Sequence, residues 1–288
     1  SPGRVVALDV ADGSRLWSRD FGGEAPRFGY SVSPLVDGDL LVIESGADDS
    51  QPGVLALDKS DGEPRWTALT GPTGYSSPIV AEIAGVRQYV FFRRVGNEVV
   101  SVAADSGELL WKHPTPALAV ITTPIFHPPD RIFVASADDA FGGSMLRISR
   151  AEEGFAVEEL WNERLMRNHF STSVLVDGFL YGFDNGTFRC LDAESGERRW
   201  AKRGFGKGSL VAAGDKLFVL GDGGVLALVE ATPEEYRELG RTTGLSARAW
   251  TAPSLANGRL YLRDFDEMVS YDVSAPEPMT GAAEGGQR

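Results

Sequence analysis

An eleven-residue stretch recurs along this chain with a tryptophan closing each copy, and no other feature restricts the fold as tightly. "ALDVADGSRLW" fills positions 7–17 and "ALDKSDGEPRW" positions 56–66, both matching Ala-x-Asp-x-x-x-Gly-x-x-x-Trp. The pattern returns as "CLDAESGERRW" at 190–200, as "SVAADSGELLW" at 101–111 with Ala103 in the Asp slot, and stretched as "LRISRAEEGFAVEELW" ending at Trp161. The closing tryptophans, Trp17, Trp66, Trp111, Trp161 and Trp200, follow one another at 49, 45, 50 and 39 residues. That is the period of a repeat that builds one sheet per copy.

Each copy reads as a hairpin, with Asp12-Gly13, Asp61-Gly62 or Ser195-Gly196 at the turn, where Gly accepts the positive φ of a tight connection. Upstream of each hairpin lies a second pair of short apolar runs, for example "SPLVDGDLLVIE" from Ser33 and "SVLVDGFLYGFD" from Ser173. One period is therefore four antiparallel strands, named A to D from the inside outward. Such sheets bury each other's faces when they close around an axis, which predicts an all-β fold, a β-propeller of four-stranded blades. The periodic tryptophans are expected to wedge between neighbouring blades.

The chain opens on strands C and D and closes on A, B and C, with five complete blades between. A seven-bladed ring with partial blades at both ends fits this count, and a six-bladed closure is the alternative. Residues 1–274 are expected to form one propeller domain and 275–288, "APEPMTGAAEGGQR", a flexible tail. The segment "ATPEEYRELG" at 231–240 reads equally as one capped helical turn or as a charged outer strand. The docking slot of that blade is expected at Leu239 or Tyr236.

The Ala-x-Asp-x-x-x-Gly-x-x-x-Trp motif resembles that of the pyrroloquinoline quinone (PQQ) repeat family over nearly the whole chain. The stretches 167–200 and 204–241 look like a bacterial subgroup of extracytoplasmic propellers. The resemblance implies one of two fates: quinoprotein dehydrogenases that hold PQQ and calcium in the central funnel, or cofactor-free partner binding, as in the propeller lipoprotein of the outer-membrane β-barrel assembly machinery. Fold resemblance does not choose between them. Methanol-type quinoproteins pair adjacent cysteines over the quinone, whereas this chain has one cysteine, Cys190, and no Cys-x-x-Cys-His haem site. Cys190 stands in the small-residue slot of the repeat, the place of an inert core thiol.

His113, His127 and His169 are scattered, no nucleophile elbow or phosphate loop is present, and "GDGG" at 221–224 falls on a B–C turn. With 41 acidic against 28 basic residues the net charge is -13, which argues against nucleic acid and anionic lipid as partners, and no apolar run is long enough to insert in a membrane.

On a propeller the loops entering strand A and those joining B to C share one face. That geometry nominates Tyr30, Tyr75, Arg167, Asn168, His169, Lys207 and Trp250 as funnel-mouth binding residues. Trp250 stands three residues before Pro253, as Tyr75 does before Pro78, and so breaks the docking register. The loops 46–53 and 136–143 carry the pairs Asp48-Asp49 and Asp138-Asp139, whose oxygens could ligate calcium although solvated turns are commoner. Asp184, Asp222, Asp264 and Asp266, with Arg93, Arg94 and Arg263 interspersed, would make an acidic rim suited to polar or basic partners.

The residues thus point to a non-catalytic, monomeric binding or scaffolding module outside the cytoplasm that takes a protein segment or polar ligand at the funnel, without a cofactor. The alternative is a quinoprotein oxidising an alcohol or sugar with PQQ and calcium. A third reading is the sensor part of a larger membrane-bound polypeptide. Since the chain starts at Ser1 without a leader, it is expected to be a processed form or a fragment.

Overall fold

The computed structural model describes residues 3–21, 26–46 and 48–274; the tail expected at 275–288 lies outside them. Seven antiparallel sheets follow one another along the chain, each pairing in sequence order. Blade 1 (4–20) has two strands, blades 2 to 6 (35–70, 79–114, 125–163, 174–203, 209–243) have four each, and blade 7 (254–272) has three. Seven sheets, not six, form the ring. Segment 231–240 carries no helix; its end enters the outer strand Glu238–Thr243.

The cores lie between blades. Leu41, Ile43, Leu55 and Leu57 of blade 2 receive Val5 and Trp17 of blade 1. Val42, Val54 and Ala56, on the other face of the same strands, pack with Tyr89, Phe91 and Val100 of blade 3. This period-two division of each strand between two neighbours explains why the middle strands read as unbroken apolar runs. The scheme continues through blade 7, where Leu260 and Leu262 meet Leu220 and Leu226 of blade 6.

The repeated motif is an inter-blade joint. The indole Nε1 of Trp17, Trp66, Trp161 and Trp200 donates to the carbonyl of Lys59, Ala104, Ala193 and Thr232, at 2.9, 3.2, 3.1 and 2.8 Å, each in the C–D turn of the next blade. The motif glycine of that turn has φ near +75°, at Gly62, Gly107 and Gly196. A Cβ on those glycines would come within 2.6, 2.5 and 2.8 Å of the Trp17, Trp66 and Trp161 rings. Gly is thus required twice over, by the turn and by the ring lying on it. The motif Asp shapes the same turn: Asp9, Asp58 and Asp192 accept the amide two residues on.

Two copies depart from this pattern. Trp111 donates to Gln88 of its own blade at 2.6 Å, and the blade after it carries the stretched hairpin, with strands of 8 and 9 residues. In blade 6 the register places Gly240 opposite Leu228, as Trp200 stands opposite Cys190. The docking slot is therefore Gly240, not Leu239 or Tyr236, because the C–D bulge falls between Leu228 and Val229. Tyr236 instead meets the incoming Trp200, ring centroids 5.7 Å apart.

Candidate functional site

The segments that enter the inner strands bring residues at matching positions to the axis. The position three before the strand-A proline, or the residue replacing it, is Ser31, Tyr75, Ile121, Phe170, Gly206 and Trp250 in blades 2 to 7. All but Gly206 line one axial cavity of about 890 Å³. Two residues on, Ser33, Ser77, Thr123, Thr172 and Ala252 make a second, inner ring on the same wall. This inner ring also joins blades: the Ser33 amide donates to Ser77 Oγ at 2.9 Å and the Thr123 amide to Thr172 Oγ1 at 3.1 Å.

Aromatic contacts divide the mouth into two stations. Phe28 and Tyr75 approach to 5.8 Å on the side of blades 2 and 3. Opposite, His169 meets Phe170 edge-on at 5.2 Å and Phe170 meets Trp250 at 5.1 Å, reaching past blade 6. Trp250 stays 47% exposed and Phe28 75%. His169 carries a buried Nδ1 without a partner, and desolvation together with the Lys207 charge lowers its pKa.

Of the seven residues nominated from sequence, Tyr75, His169 and Trp250 line the cavity, and Lys207 stands on the loop beside it. Tyr30, next to the ring residue Ser31, lines instead a smaller cavity of about 190 Å³ against blade 1. Asn168 is 1% exposed and binds the Phe183 carbonyl and Ser173 Oγ, which makes it part of the loop's interior. Arg167 pairs with Asp139 and with Asp184, the latter at 2.6 Å, and these carboxylates hold its pKa above the usual arginine range. Phe28, Ile121 and Phe170 went unnominated, although the register shared by Tyr75 and Trp250 would have found the last two.

The acidic rim takes a different form. A carboxylate at or just past the end of strand B turns inward to hold the loop entering strand A: Asp138 accepts the Leu118 amide at 3.0 Å, Asp184 that of Arg167 at 3.3 Å, Asp222 that of Lys207 at 3.1 Å and Asp264 that of Ala247 at 2.9 Å. The amide of Glu267, then those of Asp266, Ala247 and Ser246, keep the Asp264 pKa low. For Asp184 burial pushes the pKa up, and Arg167 and Arg189 outweigh it. Glu44 fills the same place in blade 2, forming a buried pair with Arg93 at 2.8 Å. These five groups are loop anchors, whereas Asp139, Asp266 and Glu267 on the same loops stay exposed.

The same geometry bears on PQQ and calcium. Among the described residues no carboxylate lines the axial cavity, and no three His, Cys, Asp or Glu converge as a metal site. Of the paired loop carboxylates, Asp48 is engaged by Ser50 and Asp138 by Ser136 and backbone amides. Among the described residues the cavity wall therefore offers hydroxyls and aromatic rings but no carboxylate to hold calcium beside a quinone.

Comparison with known proteins accords with this architecture. The profile of the family described as outer membrane protein assembly factor BamB, a PQQ-repeat family, matches residues 1–202. The chain belongs to that family. Among solved structures, BamB from Moraxella catarrhalis superposes with a TM-score of 0.69 at 15% identity, covering 93% of this chain and 78% of that one. Sqt1 of Saccharomyces cerevisiae gives 0.69 at 14% identity over 95% and 79%. The quinohemoprotein alcohol dehydrogenase of Comamonas testosteroni gives 0.54 at 13% identity over 90% and 59%. At these identities the likeness to solved structures is one of fold. No curated relative matches the chain in sequence. No helix among the described residues is long and apolar enough to cross a membrane.

Proposed function

We propose that this PQQ-repeat propeller is a non-catalytic binding module that takes a protein segment or extended polar ligand at the funnel mouth. The observation that carries the reading is the cavity wall: aromatic stations and a hydroxyl ring on the axis, with no carboxylate or nucleophile–base pair in the lining among the described residues. Membership of the BamB family supports an extracytoplasmic setting and a role in holding other polypeptides. The quinoprotein alternative has the dehydrogenase's fold likeness in its favour and the carboxylate-free lining against it.

Calorimetric titration of PQQ with and without calcium separates the two, since saturable calcium-dependent binding would overturn the module reading. Photo-crosslinking from position 75, using Tyr75 replaced by a benzophenone amino acid, is expected to capture a polypeptide in cells of the source organism. The same probe at an outer-strand position, Thr242, serves as the control and is expected to capture nothing in common.

A further inference from the structure

Guanidinium groups stand over the exposed aromatic rings of the funnel in a chain whose net charge is negative. The chain carries -13, yet among the described residues the charges set against the aromatic stations are Arg27, Arg248 and Lys207, while the exposed carboxylates of this face, Asp139, Asp266 and Glu267, are absent from the cavity lining. The Arg27 guanidinium lies over the Phe28 ring at 5.3 Å and that of Arg248 over the Trp250 ring at 5.3 Å. Lys207 is near enough to depress the His169 pKa by its charge. Among the described residues none of the three forms an ion pair.

Each station therefore offers the same combination, an exposed aromatic surface with a guanidinium over it. A guanidinium so placed keeps N–H donors for a carboxylate. The unpartnered His169 Nδ1 adds a polar contact at the second station. A small rigid anion meets one station only. Two stations on opposite sides of a cavity of about 890 Å³, with hydroxyls between them, suit a chain that repeats the combination of anion and apolar group.

We infer that the funnel mouth recognises an acidic peptide segment that bears aromatic or aliphatic side chains. This rests on the reading of the funnel as a binding site for a polypeptide. The carboxylates of such a segment meet Arg27 and Arg248, and its apolar side chains meet Phe28–Tyr75 and Phe170–Trp250. Among the described residues no carboxylate lines the cavity to repel it.

The test is a selection of displayed random linear peptides on the immobilised full chain. Enriched peptides are resynthesised with a fluorophore and measured by anisotropy against the wild type, Trp250→Ala and the double variant Arg27→Glu/Arg248→Glu. Thermal unfolding checks that each variant is folded. The expected result is enrichment of peptides with net negative charge and aromatic or aliphatic residues, weakened at least about tenfold by Trp250→Ala and about tenfold by the double reversal. Selection on the double variant is then expected to shift toward Lys- and Arg-containing peptides. Peptides that need Trp250 but show no acidic excess, or that ignore the charge reversal, would overturn the inference and leave the funnel reading standing. If no peptide is enriched, or none depends on Trp250, both fall.

Discussion

Replacing Trp161 by alanine tests the inter-blade joint where it is most complete. The side chain is 9% exposed, donates to the Ala193 carbonyl at 3.1 Å and lies against Phe133 with centroids 5.8 Å apart. An aromatic of this size buries about 200 Å², which at about 25 cal/mol per Å² sets a transfer value near 5 kcal/mol. Core Trp-to-Ala changes measure about 3–5 kcal/mol, and the Ala193 carbonyl, left without its donor in a buried place, adds about 1 kcal/mol. Trp161→Phe keeps most of the ring and loses the donor, so about 1–2 kcal/mol is expected. Trp17 makes the same bond in an exposed setting at two-stranded blade 1, and Trp17→Ala should cost roughly half as much as Trp161→Ala. Trp250 makes no such joint, and Trp250→Ala should shift stability by less than about 1 kcal/mol. Guanidinium unfolding followed by far-UV circular dichroism reads all four from the midpoints. Equal losses for Trp161→Ala and Trp250→Ala, or a larger loss for Trp17→Ala than for Trp161→Ala, would refute the wedge.

Gly196→Ala places a Cβ 2.8 Å from the Trp161 ring at φ +74° and is expected to cost more than about 2 kcal/mol, whereas Gly240→Ala, with open space around it, should be neutral or stabilising by about 0.5 kcal/mol in the same assay. Glu44→Gln strands the buried Arg93 guanidinium, whose side chain is 2% exposed, and should cost about 3–5 kcal/mol; adding Arg93→Met should recover at least half, a coupling a double-mutant cycle measures directly. The Cys190 thiol is fully buried, and burial pushes its pKa up to about 12. Native protein should therefore resist iodoacetamide at about pH 8 and react only as fast as it unfolds. Since an unfolded thiol ionises near pH 8.5, the stability due to the neutral thiol is fully present below that pH and lost as pH rises toward 12. Cys190→Ala should flatten that alkaline fall in melting temperature.

How much the sequence disclosed depended on whether the responsible residues repeat. Trp161 and Gly196 belong to different blades, yet both are written in every copy of the motif, so period and fold could be read together. Gly240 escaped because its blade keeps the bulge and drops the letters; only the pairing of Leu228 shows which residue holds the slot. The site divides the same way. Trp250 and Tyr75 stood out by their offset from a proline, while Phe170 shares the offset from Ser173, which hid it. Asp184, Asp222 and Asp264 illustrate the opposite failure, since a carboxylate beside a Gly- or Asp-rich turn looks solvated in sequence whichever way it points. Here the loop entering strand A brings unpaired amides back to the end of strand B, and a short carboxylate there satisfies them. With those acids turned to the backbone, Arg27, Lys207 and Arg248 are the charges set against the aromatic stations. The sign of the funnel's expected partner therefore follows from where the loop amides find their acceptors, a property no residue count contains.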